Sequence, residues 1–203
     1  MRLRVKDVQD ELVQVIEEVG ANKFLRRYCM DILDENGVVI GDVKGTAIRM
    51  RAVKQVASKK DAGAFIAAAD SVDDIHFHVG AFLLDDELLM GESRVYFLDE
   101  VELLEGHRTL ENKKEVLDLT FKKMGALIYL FDGDEYMRDL PEDEYEHYWE
   151  EHDEMLLNNG WEYNDDFELF FKRRKTAYEA IIKTIEEIEA FQEMLPDVLE
   201  SPE

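Results

Sequence analysis

Hydrophobic positions along the chain change period several times, and each change marks an element. Val5, Val8, Leu12, Val15, Ile16 and Val19 recur at helical spacing among acids, which predicts a helix stopped at Gly20. The apolar stretches 30–33 and 38–43 flank Asp34-Glu35-Asn36-Gly37. Asn-Gly supplies the positive φ of a tight turn, so a β-hairpin is expected there, with residues 46–53 extending the sheet. The polar residues 54–60 read as loop. Residues 61–84 read as one or two helices broken near Asp70-Ser71, with Ser71 and Asp74 as a capping-box-like start.

Residues 95–104 alternate as a strand. The alternation slips once, at Asp99-Glu100, which predicts a β-bulge. A helix follows over 111–124, with Val116, Leu117, Phe121 and Met124 on one face and Gly125 as its stop. Residues 126–131 are continuously apolar, as expected of a strand buried on both faces. Pro141 opens a helix over 142–158 whose inner face carries Tyr145, Tyr148, Trp149, His152 and Leu156. Gly160 ends it. A second hairpin joins 161–163 to 167–171. A last helix, limited by Pro196, carries Tyr178, Ile181, Ile182, Ile185, Ile188 and Leu195.

A length of 203 residues suits one domain, or one domain with an appendage. With 48 acids against 24 bases the formal charge is −24, which argues against a surface that grips nucleic-acid phosphates directly. A hydrophobic content of 46% supplies a core in spite of that charge. Cys29 is the single cysteine, so no internal disulfide is expected and a reducing, cytoplasmic location fits. No apolar run approaches the length of a membrane span, and the basic start Met1-Arg2-Leu3-Arg4 does not lead into an apolar signal core.

Charge is also unevenly placed. From Asp132 to Glu168 there are 16 acids, and Arg138 is the only Lys or Arg. Two readings stand: a solvated face, or a surface that attracts a basic protein and imitates phosphate charge. The partner-binding candidates are Glu142, Asp143, Glu146, Glu150, Asp153 and Glu154. The basic run Lys172-Arg173-Arg174-Lys175 is expected to pair with the chain's own acids or with a neighbouring subunit. The near-heptad last helix either packs on the N-terminal helix or forms a homodimer. His147 and Glu151 share a helix face with His152 next door, but no second cluster has ligand spacing, so no metal is expected.

The order of elements, with the strand–helix–strand of 95–131, resembles the acetyl-CoA-dependent N-acetyltransferase (GNAT) superfamily. The run Val95-Tyr96-Phe97-Leu98-Asp99-Glu100-Val101-Glu102-Leu103-Leu104-Glu105-Gly106-His107-Arg108 resembles that family's central strand and the start of its cofactor loop. Ala126-Leu127-Ile128-Tyr129-Leu130 resembles the next strand. Asn159-Gly160-Trp161, then Phe167-Glu168-Leu169-Phe170-Phe171, is similar to its closing hairpin. The likeness spans roughly 30–172 in element order and is specific over 95–131. It implies an α/β fold: a GNAT-like mixed central sheet flanked by helices, with extra N- and C-terminal helices. The implied division is a helical extension over 1–28, the GNAT-like domain over 29–172, and a C-terminal helix and tail over 173–203.

For an active member, the resemblance implies acetyl-CoA held by Leu103, Leu104, Arg108, Thr109 and Lys113, with Glu100 or Glu102 assisting deprotonation of a cationic amine. The plain alternative for those two acids is solvent, or pairing with Arg94 or Arg108. The family's spaced glycines let backbone amides approach a diphosphate at a helix start. Here the run is Thr109-Leu110-Glu111-Asn112-Lys113-Lys114, without glycine, and the family's acid tyrosine falls at Leu156. The expectation is therefore an acidic binding module on a degenerated scaffold that needs no cofactor. An active N-acetyltransferase is the alternative.

Overall fold

The computed structural model describes residues 1–8, 10–58, 63–85, 92–130 and 141–174. Met1–Arg173 forms one compact unit and Arg174–Glu203 a second. The last helix expected from the sequence, with its homodimer alternative, lies outside the described residues.

Period two decides the N-terminus. Arg2, Arg4 and Lys6 alternate with Leu3 and Val5, and Arg2–Lys6 forms strand β1, antiparallel to β2 (Leu25–Leu33). The expected helix is therefore shorter: α1 covers Glu11–Glu18, capped by Asp10, which accepts from the Val13 amide. The reading of 1–28 as a helical extension is corrected to this extent, because backbone pairing to β2 outweighs the weak helical period of Val5 and Val8. Gly20 takes a left-handed φ of 69°, as a helix stop requires.

The Asn-Gly turn joins β2 to β3 (Val39–Ile48), with Gly37 at φ 84°. Thr46–Ile48 ends that strand, whereas 50–53, expected as sheet, open helix α2 (Met50–Ser58) and bury Met50 and Val53 one turn apart. Residues 54–58, expected as loop, complete it. Helices α3 (Gly63–Asp70) and α4 (Asp74–Asp85) follow, broken where expected. The cap, however, is Asp73, whose Oδ1 accepts from the His76 amide at 2.7 Å; Ser71 instead closes α3 by donating to the Ala67 carbonyl.

Strand β4 (Val95–Leu103) leads through a 3₁₀ turn into α5 (Leu110–Met124), then β5 (Leu127–Tyr129), α6 (Glu142–Asn158), β6 (Glu162–Asn164) and β7 (Leu169–Lys172). The seven strands make one sheet in the order β1-β2-β3-β4-β5-β7-β6. Only β4 and β5 are parallel; the other neighbours are antiparallel. Their pairing ends at Leu98–Tyr129, while β4 continues to Leu103.

The expected bulge is present. Lys44 opposes Glu100 and Gly45 opposes Leu98, so Asp99 is the extra residue. Gly45 is required here: a Cβ would lie 2.2 Å from the Phe97 carbonyl oxygen and 2.4 Å from the Tyr28 hydroxyl. Arg27 on β2 reaches the bulge. Its guanidinium pairs with Asp99 and, through Nε at 2.8 Å, with Asp10, and its side chain is only 9% exposed.

Each face of the sheet has its own core. On one, Leu25, Ile48, Val95, Phe97 and Ile128 pack against α1 to α4; on the other, Met30, Val43, Leu98, Leu127 and Phe170 pack against α5 and α6. A polar contact fixes α4 to the first face. His76 Nδ1 lies 2.8 Å from Asp73 Oδ1 and Nε2 lies 2.9 Å from Thr46 Oγ1. Because a carboxylate only accepts, Nδ1 carries a proton toward Asp73, and Nε2 bonds to the threonine hydroxyl.

Replacing Arg27 by Met leaves Asp99 without its cation at a mostly buried bulge. The R27M variant is expected to lose about 3–5 kcal/mol of stability, measured by urea unfolding.

Candidate functional site

Strand pairing gathers charged residues on the first face, past the edge of its core. Directly opposed residues share a face. Lys6, Cys29, Lys44 and Glu100 therefore form one cross-strand row, and Arg4, Asp31, Asp42 and Glu102 the next. The row members link through Arg4–Asp31 at 2.6 Å, Lys6–Asp31 at 3.1 Å, Lys6–Asp42 at 3.0 Å and Lys44–Glu100 at 2.8 Å. Arg4 and Lys6 donate to Asp31 and hold its carboxyl below the ordinary range.

Glu100 and Glu102, singled out from the sequence, do share this face, and Asp42 joins them within 4.8 Å. Glu100 pairs with Lys44 rather than with Arg94 or Arg108; Arg108 Nε donates to the Leu103 carbonyl at 2.9 Å. Burial, and then the charge of Glu100, raises the Glu102 carboxyl above its usual value. Asp42 was missed in the sequence. Its signal was the Asp42-x-Lys44 alternation in the hairpin strand, which needs the β3–β4 register to place it opposite Glu102.

The residues implied for a cofactor separate. Leu103 is buried and Leu104 exposed. Thr109 caps α5, accepting from the Asn112 amide, and the Asn112 side chain donates to the His107 carbonyl. The turn is thus tied to itself, with the acid Glu111 in the first helical turn. A Cβ on Gly106 would meet nothing within 4 Å, so no close backbone approach depends on it. Lys113 does not face the turn: it is 3% exposed, with Nζ 5.9 Å from the Tyr129 ring centre.

The inner face of α6 is the aromatic one expected. Tyr145 meets Trp149, Tyr148 stacks on His152, and Tyr129 of β5 meets both His152 and Trp161. Burial, reinforced by the charge of Lys113, pushes the His152 imidazole down to about 3. On the outer face Glu144, Glu146, Glu150, Glu151 and Glu154 are exposed and Asp153 is half-buried; the side chains of Glu142 and Asp143 lie outside the described set. His147 meets Glu151 at 3.3 Å, and among the described residues the one group with metal-ligand spacing is Asp42, Glu100 and Glu102. At the basic run, Lys172 pairs with Asp118 of α5 at 3.3 Å and donates to the Asn159 carbonyl. It thus meets an acid of its own chain, but one outside the 132–168 belt.

No family of known proteins, no curated protein and no solved structure matches the chain. None of the described helices is long and apolar enough to cross a membrane.

His152 generates a pH prediction. Its folded value of about 3 lies below the ordinary 6.5, so its contribution to stability is full above pH 6.5 and is lost as pH falls toward 3. In His152→Phe, the part of the acid-side stability slope between those two values should disappear, as read by urea unfolding at stepped pH.

Proposed function

We propose that the chain is an acidic protein-binding module on an N-acetyltransferase-like scaffold, and that the outer face of α6 engages a basic partner. A nucleic-acid-binding protein is a partner of the right charge. The mixed sheet and the parallel β4–α5–β5 unit, in the element order on which the resemblance rests, support the scaffold reading. The carrying observation is the charge on α6. Its 17 residues include eight acids and no Lys or Arg. The helix is about 25 Å long, so acids recur about every 3 Å. One DNA strand carries a charge roughly every 3.4 Å. The inner aromatic face anchors the helix, so this charge is held on a fixed surface. The α5 turn supports the loss of cofactor binding: a diphosphate there would have to displace the Thr109 cap and lie beside Glu111.

The test is binding to a lysine-rich peptide, followed by fluorescence anisotropy at rising salt. Affinity should fall steeply with ionic strength, and the Glu146→Gln, Glu150→Gln, Glu154→Gln triple variant should bind about tenfold more weakly at low salt. Binding no tighter than to an unrelated protein of equal charge, and unaffected by salt, would refute the proposal.

One observation favours a second reading, an active N-acetyltransferase for a cationic amine. Asp42, Glu100 and Glu102 converge beyond the bulge, where β4 outruns β5. Glu102, with its raised carboxyl value, suits a proton acceptor. Calorimetric titration with acetyl-CoA separates the two. The binding-module reading expects neither heat nor a rise in melting temperature at millimolar ligand. Clear binding, with turnover lost in Glu102→Gln, would replace it.

A further inference from the structure

The two margins of the sheet are built differently. At one, β1 carries Arg2, Arg4 and Lys6; Arg4 and Lys6 are held by Asp31 and Asp42, and the Leu3 carbonyl accepts from Lys123. Three cationic side chains on the strand and one occupied carbonyl guard that edge against added strands. At the other, β6 pairs with β7 on one side, and no strand lies beyond it among the described residues. Alternate residues of an antiparallel strand aim both N–H and C=O away from the neighbour, so this margin offers free backbone groups. It has no lysine and no proline; its three residues are Glu162, Tyr163 and Asn164.

The side chains at this edge select the visitor. Tyr163 packs on Phe170 with ring centres 4.8 Å apart, yet remains 43% exposed. Phe170 faces the α6 side, and so does Tyr163. Partial burial, and then the negative charges of Glu168, Asp153 and Asp165, raises the Tyr163 phenol above its ordinary value. Asp165, Asp166 and Glu168 in the β6–β7 turn are exposed.

We propose that β6 accepts, as an added strand, an extended basic segment of the partner with Lys or Arg at alternate positions. This rests on the protein-binding reading above and names its mode. The visiting residue opposite Tyr163 lies on the same side of the sheet. A cation there covers the phenol ring and meets Asp153, and neighbouring cations two residues away reach Asp165 and Glu168. A second copy of the chain does not fit. Its β6 brings the same acids, and its β1 brings Arg4 and Lys6 already paired.

The probe is an acetylated, amidated peptide of four Arg-Thr repeats, compared with the same peptide N-methylated at alternate backbone amides. Binding is followed by anisotropy, and amide protection at 162–164 by hydrogen exchange. The unmodified peptide should bind and slow exchange at β6, N-methylation should cost at least tenfold, and Tyr163→Thr should weaken binding. Equal binding of both peptides, lost in the α6 triple variant, would overturn the edge mode and leave the basic-partner reading standing. No binding of either peptide or of the lysine-rich peptide would overturn both. Self-association through β6, seen by light scattering and abolished by Tyr163→Arg, would assign the edge to a second copy and overturn the inference.

Discussion

A single cation between two carboxylates sets the geometry on which the rest depends. Arg27 joins Asp10, the cap of α1, to Asp99, the extra residue of the β4 bulge. The bulge shifts the phase of β4. With it, Val101 and Leu103 enter the second core while Glu100 and Glu102 point to the open face. A strictly alternating strand would reverse this and drive two carboxylates into an apolar interior, at a cost of several kcal/mol for each. Burying Asp99 at the bulge is tolerable because Arg27 neutralises it, and Arg27 is held in register by β2–β3 pairing and by the helix it helps to cap.

The two acidic regions of the molecule differ in how they are balanced. The strip across β1 to β4 alternates sign: Asp31, Asp42 and Glu100 each have a Lys or Arg within ion-pair distance. With Arg4, Lys6 and Lys44 against these three acids, most of its field cancels locally, and Glu102 is the acid left over. The outer face of α6 has no base of its own, and its charges add. A one-signed surface of that kind attracts a cationic partner over a Debye length, about 8 Å at physiological salt, and its attraction is correspondingly sensitive to salt.

Packing explains how such a helix stays in place. Eight acids on α6 repel one another. The opposing term is burial along the inner face, where Leu156 joins the core of Tyr129 and Trp161, the neutral His152 ring meets Tyr129 of β5, and Tyr148 and Trp149 pack on that ring. Neutral histidine matters there, because a buried imidazolium close to Lys113 would add repulsion at the interface between α5 and α6.

Much of the architecture was legible in the residues: the Asn-Gly hairpin, the slip at Asp99-Glu100, the α5 stop at Gly125, and the aromatic face of α6. Each is a local signal, written in side-chain period or backbone freedom within a few residues. The N-terminal strand was not legible, because Val5 joins Val8 and Leu12 in a helical period as readily as it joins Leu3 in a strand until β2 lies alongside. Residues 50–58 failed for a similar reason, since the first apolar core selects the Met50–Val53 face of a helix. Of the candidate site, the sequence named Glu100 and Glu102 and the acids of α6. Asp42 and the clamp by Arg27 depend on strand register between residues tens of positions apart. Local chemistry determined which segments were helix, turn or strand; cross-strand pairing alone decided which charges meet, because a one-residue change of register moves every side chain to the opposite face.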